Sequence, residues 1–322
     1  MVNLGIIGCA EIAFRRFMPA ALQVEGLTVK AVAEEYAPEK LQLFKDEYGL
    51  EGETSFEKLI AREDIDALYI PQPPALHYKW AKRALEAGKH VLVEKPSTTC
   101  QKDSADLVET ARRFNLALHE NYMFAYHSQI EEIRKLIDSG EIGDVRLITA
   151  QFGFPMRAQN DFRYNKALGG GALLDAGGYT LKLATILLGP SIKVDAAKLN
   201  DLPGFEVDMY GSATVSNDAG VVCNLGFGMD CGYRCSLEVW GSKGRLFTNR
   251  IFTAPETLEP TVQIETGEGT KNLALGKDMH FKHSIEHFIA EISSEEERNK
   301  VYDAILLQSK LVEDVRRYSE NK

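Results

Sequence analysis

The alternation of short apolar runs with amphipathic stretches over residues 1–120 constrains this chain most. "VNLGIIG", "LTVKAVAEE", "IDALYIPQ", "HVLVEKP" and "LALHENYM" have the length and apolar content of strands. Between them, "AFRRFMPAALQ", "APEKLQLFKDEYG", "ALHYKWAKRALEAG" and "KDSADLVETARRFN" repeat apolar residues at helical spacing. This βαβ rhythm predicts an α/β domain with a doubly wound parallel sheet of the Rossmann type over 1–120. Right-handed crossovers bring the C-terminal ends of all its strands to one edge, where ligands bind.

The rhythm changes near Asn121. One helix, "SQIEEIRKLIDSG", precedes a strand, "DVRLITAQFGF", and a glycine-rich helix begins at Gly169. The runs "IKVDAAKLN", "MYGSATVSN", "GVVCNLGFGM", "RCSLEVWG" and "GRLFTN" follow, with hairpin-like turns at "NDAG" and "GSKG" and a helical tail. Residues 121–322 are therefore expected to form an α+β domain with an open, mainly antiparallel sheet.

Composition narrows the function classes. A chain of 322 residues has room for two domains, and a formal net charge of −10 without a basic run excludes a phosphate-backbone binder, so no nucleic-acid partner is expected. No apolar run reaches the length of a membrane span, and no basic segment precedes the first apolar stretch, so neither membrane nor secretion is expected. Five cysteines without a CxxC pair predict reduced thiols in a cytoplasm. No His/Cys/carboxylate cluster has metal-ligand spacing, so no metal is expected.

The first strand runs into "GIIGCAEIA". Aligned on the dinucleotide fingerprint it reads Gly8-x-Ala10-x-x-Ala13, with Ala10 where a glycine normally lets the backbone approach a pyrophosphate. Gly8, Cys9, Ala10, Glu11 and Ile12 are the cofactor candidates of this turn. The second strand ends in Glu34 and Glu35, and a carboxylate there can accept hydrogen bonds from the adenosine ribose while repelling a 2′-phosphate. Glu34 therefore favours NAD(H), with NADP(H) still possible. The third strand delivers Pro71, Gln72 and Pro73 to the same edge as a stiff wall, with His77 just behind, and "LVEKP" delivers Glu94 and Lys95; all six are cofactor candidates.

"GIIGCAEIA", "ALHYKWAKRALEAGKHVLVEKP" and "GGGALLDAGGYTLKLA" together resemble the Gfo/Idh/MocA oxidoreductase family. The resemblance implies an N-terminal Rossmann domain, a C-terminal domain whose open sheet makes a homodimer or homotetramer, and Lys95 beside nicotinamide and substrate. Tyr179 stands where many members carry a His and Lys182 where they carry an Asp, which argues against a His mechanism. "GCAEIAFRRFMPA", "ENYMFAYHSQ", "NDFRYNKALGGGALLDAGGY" and "LEVWGSKGRL" are similar to the nucleotide-sugar 3-ketoreductases of deoxysugar biosynthesis, which use a Lys and a Tyr. Sugar and trans-dihydrodiol dehydrogenases share that pair, and a non-catalytic dinucleotide-binding regulator would keep the fold.

Reducing a ketone requires hydride on carbon and a proton on oxygen. Tyrosine, with an ordinary pKa of about 10, is protonated at neutral pH and can give that proton; a lysine cation nearby stabilises the developing alkoxide. Lys95 and Tyr179 are the candidates for these roles, and Asp175, four residues before Tyr179, orients Lys95, binds a sugar hydroxyl or caps its helix. Gly169 to Gly171 are expected to let the backbone approach a ligand. The resemblance places Arg163 near cofactor or substrate, and Arg157 is a candidate for a nucleotide diphosphate. Asn121 (cofactor), Tyr122 and Tyr126 (substrate) follow the last Rossmann strand; His127 lines the cleft or is structural.

Overall fold

The computed structural model describes residues 1–320. It separates into two compact units, Met1–Tyr122 with Phe281–Leu306, and Met123–His280 with the residues from Leu307 onward. Segment 281–306, expected in the second domain, thus clusters with the first unit.

In the first unit the chain runs β1 (Val2–Ile7), a π-helical turn (Ala13–Phe17) leading into α1 (Met18–Ala21), β2 (Leu27–Ala33), α2 (Pro38–Tyr48), β3 (Glu51–Glu53), α3 (Phe56–Ile60), β4 (Ala67–Ile70), α4 (Pro74–Glu86), β5 (His90–Glu94), α5 (Gln101–Phe114) and β6 (Leu118–Asn121). The six strands are parallel in the order β3-β2-β1-β4-β5-β6. Strand order reverses between β1 and β4, so the crevice at their C-terminal ends is the switch point where such sheets bind ligands. β4 is buried at all four positions because helices cover both faces, which is why it reads as a continuous apolar run. The core joins Phe56, Trp80, Leu85, Val91 and Leu107 with Tyr302 and Ile305 from the second segment. Phe56 and Trp80 meet edge to face, with centroids 5.0 Å apart.

The second unit contains α6 (Ser128–Asp138), β7 (Val145–Gly153), two 3-10 turns (Phe162–Tyr164 and Lys166–Leu168), a π turn (Leu173–Gly177) running into α7 (Gly178–Leu188), and β8 (Lys193–Asp201), β9 (Asp208–Ser216), β10 (Val222–Gly228), β11 (Arg234–Gly241), β12 (Gly244–Thr248), β13 (Thr261–Thr266) and β14 (Gly269–Ala274). The chain then forms α8 (His280–Ser293) and α9 (Glu295–Glu320). The eight strands follow the order β14-β13-β12-β11-β7-β10-β9-β8, antiparallel except for β7 with β10. One face is apolar: in β9, Met209, Ala213 and Val215 are buried, while Tyr210 on the other face is 43% exposed. β11 likewise buries Leu237 and Val239 and leaves Trp240 58% exposed. β3, α3, β13 and β14 have no counterpart in the sequence reading; β3 is the tripeptide Glu-Gly-Glu and β14 is almost wholly exposed, so neither shows an apolar period.

Candidate active site

Several cofactor candidates gather at the C-terminal edge of the first sheet. Gly8 ends β1 with φ +101°, a left-handed conformation that favours glycine, and a Cβ there would overlap the Gln72 side-chain amide. That amide donates to Ile7 O at 2.8 Å, tying the end of β4 to the end of β1. The carboxylate of Glu34 sits at the same turn: Oε2 accepts from Cys9 N at 2.9 Å and Oε1 from Tyr36 N at 3.0 Å. Glu35 turns away and accepts from Phe56 N at the start of α3, 2.8 Å away. Of the two acidic residues, Glu34 alone is therefore held beside the dinucleotide turn. The Cys9 thiol is pushed up to about 12, by burial first and the Glu34 charge second, so it is no nucleophile. Glu11 pairs with Arg15 at the surface, 2.7 Å apart. The helix that starts here opens as a π turn, a feature frequent at functional sites. Its first-turn N–H groups lack intrahelical acceptors and suit an anion.

His77 is fully buried, with Nδ1 2.7 Å from Pro96 O and Nε2 2.5 Å from Gln72 O. It links the loops after β4 and β5 from beneath, and burial pulls its pKa down to about 4. Pro71 is buried and Gln72 and Pro73 are partly so. Glu94 Oε1 accepts from Tyr69 OH and from Asn121 Nδ2, each at 2.7 Å, and burial raises its pKa against those donors. Lys95 follows, partly buried, and the Lys95–Pro96 peptide is cis. Asn121 engages Glu94 and Ser284 through its side chain, and Tyr122 is fully buried.

Tyr179 lies in the second unit. Here the glycines serve the chain itself. Gly171 has φ +122° and its missing Cβ leaves room for Asp208, whose Oδ2 accepts from Leu173 N at 2.7 Å. A Cβ on Gly170 would run into the carbonyl of Arg163. Gly170 and Gly171 thus make room for Arg163 and Asp208. Arg163 Nε donates to Asp175 Oδ2 at 2.7 Å and Nη1 lies 3.2 Å from Asp161 Oδ1. Burial opposes the Arg163 charge, but the two aspartates outweigh it and its pKa is raised. Asp175 thus anchors the 162–164 turn to the π turn that precedes Tyr179.

Tyr179 is 6% exposed. Phe124, Phe152 and Phe252 surround its ring at centroid distances of 5.6, 5.0 and 5.9 Å, and its hydroxyl is 3.7 Å from Met123 Sδ. The aromatic box fixes the ring direction. Phe252 had no signal in sequence, because "NRIFTA" has no strand or helix period. Arg157 lies exposed over the Phe154 ring, 5.2 Å from its centroid, and Tyr126 is partly exposed. His127 Nδ1 accepts from Gln129 N at 3.1 Å and so caps α6, which is its structural reading. Lys182 is partly exposed on α7.

Residues 2–122 match the model of an oxidoreductase family with an NAD-binding Rossmann fold, and residues 130–247 match the Gfo/Idh/MocA C-terminal domain. A dTDP-3,4-didehydro-2,6-dideoxy-alpha-D-glucose 3-reductase from Saccharopolyspora spinosa is 41% identical, over 90% of this chain and 87% of its own. A reductase of the same description from Actinomadura kijaniata is 38% identical over 98% of this chain and 95% of its own. The crystal structure of KijD10, a 3-ketoreductase from Actinomadura kijaniata in complex with NADP and TDP-benzene, superimposes with a TM-score of 0.94 at 37% identity, covering 98% of this chain and 97% of that one.

Proposed function

This chain belongs to the Gfo/Idh/MocA oxidoreductase family, and from that premise we propose that it reduces the 3-keto group of a nucleotide-linked deoxysugar with a nicotinamide cofactor. The observation that carries the reading is the Tyr179 site, a phenol aimed by three aromatic rings, in a chain whose relatives are 3-ketoreductases. Variants of KijD10 have been solved with a tyrosine changed to phenylalanine and a lysine changed to alanine, and those two positions have the same separation as Lys95 and Tyr179 here.

The cofactor fits the donor set of the turn at Gly8, the helix start behind it, and the held carboxylate of Glu34. When bound, it supplies the hydride. Tyr179 gives its phenolic proton to the carbonyl oxygen and is reprotonated from water. The Lys95 ammonium stabilises the negative charge that grows on that oxygen. Arg157 and Tyr126 remain the candidates for the nucleotide diphosphate and sugar, and Arg163 with Asp175 holds the Tyr179 segment in place. The purified protein should oxidise NADH or NADPH when given a dTDP-linked 3-keto-deoxysugar. Tight cofactor binding without turnover on any keto-sugar would instead identify a regulator.

Glu34 favours NAD(H) over NADP(H), because its carboxylate would stand against a 2′-phosphate. Glu34→Ser should raise the NADPH-to-NADH ratio of kcat/KM by about tenfold, and an unchanged ratio removes Glu34 from cofactor choice. The outward face of the second sheet, with Trp240 and Tyr210 exposed, is proposed as a homo-oligomer surface. Analytical ultracentrifugation showing a monomer at micromolar concentration would set that aside. All five cysteines are free thiols, in keeping with a cytoplasmic location. Fractionation of the source cells tests this, and recovery outside the cytoplasm would contradict it.

A further inference from the structure

A buried chain of polar side chains runs through the first unit and ends at Glu94. Asn121 Nδ2 donates to Glu94 Oε1 at 2.7 Å. Ser284 Oγ donates to Asn121 Oδ1 at 2.8 Å. His119 Nε2 lies 3.0 Å from Ser284 Oγ, and His119 Nδ1 lies 2.7 Å from Glu291 Oε1. Asn121, Ser284, His119 and Glu291 are each at most 2% exposed. Ser284 and Glu291 come from α8, more than 160 residues from their partners in sequence.

The direction of every bond follows from one end. Glu94 Oε1 already receives Tyr69 OH, so it accepts from the Asn121 amide as well. The Asn121 oxygen then faces Ser284, which must donate its only proton to it. Ser284 Oγ is left to accept, so His119 carries its proton on Nε2. The contact of His119 Nδ1 with Glu291 Oε1 then needs a second proton between them. A polar chain of this kind is costly if any member lacks a partner and rigid when all are matched. At its far end Glu94 is joined directly to Lys95 by the peptide bond, so an anchored Glu94 constrains the backbone at Lys95.

We propose that Ser284, His119 and Glu291 are positioning residues that hold the Glu94 carboxylate, and through it the backbone of Lys95, in the orientation the reduction requires. None of the three need touch substrate or cofactor. α8 is thereby the rear support of the Glu-Lys-Pro segment. The catalytic part of the inference rests on the assignment of Lys95 to the reduction; the positioning part does not.

The test uses the full-length protein. Ser284→Ala removes the central link with little change of volume and should lower kcat about tenfold while KM for the keto-sugar changes little. Hydrogen exchange at the Lys95 amide should accelerate about tenfold, with the amides of β1 unchanged. Glu291→Gln can meet Nδ1 with its amide N–H and leave the bonds from His119 Nε2 to Glu94 in their direction, so it should retain wild-type turnover and wild-type Lys95 exchange. Unchanged Lys95 exchange in Ser284→Ala, acceleration spread equally over β1, or loss of turnover in Glu291→Gln each overturns the proposal. If Lys95 exchange responds as stated while the unaltered protein turns over no keto-sugar, the positioning stands and the proposed reaction fails.

Discussion

Tyr179→Phe is expected to lower kcat by at least about 10²-fold while leaving cofactor affinity nearly unchanged. The substitution removes one oxygen and keeps the ring that Phe124, Phe152 and Phe252 enclose. The substitution loses the contact of the hydroxyl with Met123 Sδ at 3.7 Å. Steady-state kinetics with cofactor titration by fluorescence separates the effects. A fully active Phe variant would show that the proton comes from another group. A variant that loses turnover together with thermal stability would point to packing instead of proton transfer.

Lys95→Met carries the second large effect. Methionine keeps much of the side-chain length and removes the charge, so the expected loss is about 10²- to 10³-fold in kcat, with the cofactor Kd within a few-fold of normal. Combining it with Tyr179→Phe should cost far less than the product of the two single losses, because groups that act on one oxygen are not additive. Full multiplicativity in the double variant would mean that the two residues serve separate steps. A Lys95→Met protein with normal turnover removes the ammonium from the mechanism.

The parallel sheet was legible because its strands are buried on both faces and therefore read as apolar runs, as in "ALYI" and "HVLVE". Glu34 was legible because its place at a strand end, not its contacts, carries the signal; the bond to Cys9 N shows how that place is used. The glycines were legible as special positions, and at Gly170 and Gly171 the missing Cβ makes room for Arg163 O and Asp208. Close approach by a ligand and close approach by Arg163 O or Asp208 make the same demand on a side chain, and only coordinates tell them apart. The Asn121 amide is directed at Glu94 and Ser284, contacts that its sequence position does not encode. His119, Ser284 and Glu291 gave no signal at all. Histidine, serine and glutamate are ordinary surface residues, and their role follows from a contact between distant segments that no local period encodes. β14 was missed because an exposed edge such as "GTKNLA" has no apolar face to betray it, whereas β13 does alternate, with Val262 and Ile264 buried, and its period was overlooked.

The first unit is made of two stretches, 1–122 and 281–306. A ribosome releases the chain in order, so the nascent Rossmann sheet must wait while the whole of 123–280 is synthesised before Tyr302 and Ile305 reach its core and Ser284 reaches Asn121. Until then its apolar surface near Leu116 and Val108 is incompletely covered, the state in which a nascent domain most needs a chaperone. The part of the protein that is made first is finished late, and any truncation that removes α8 takes with it the support behind Lys95.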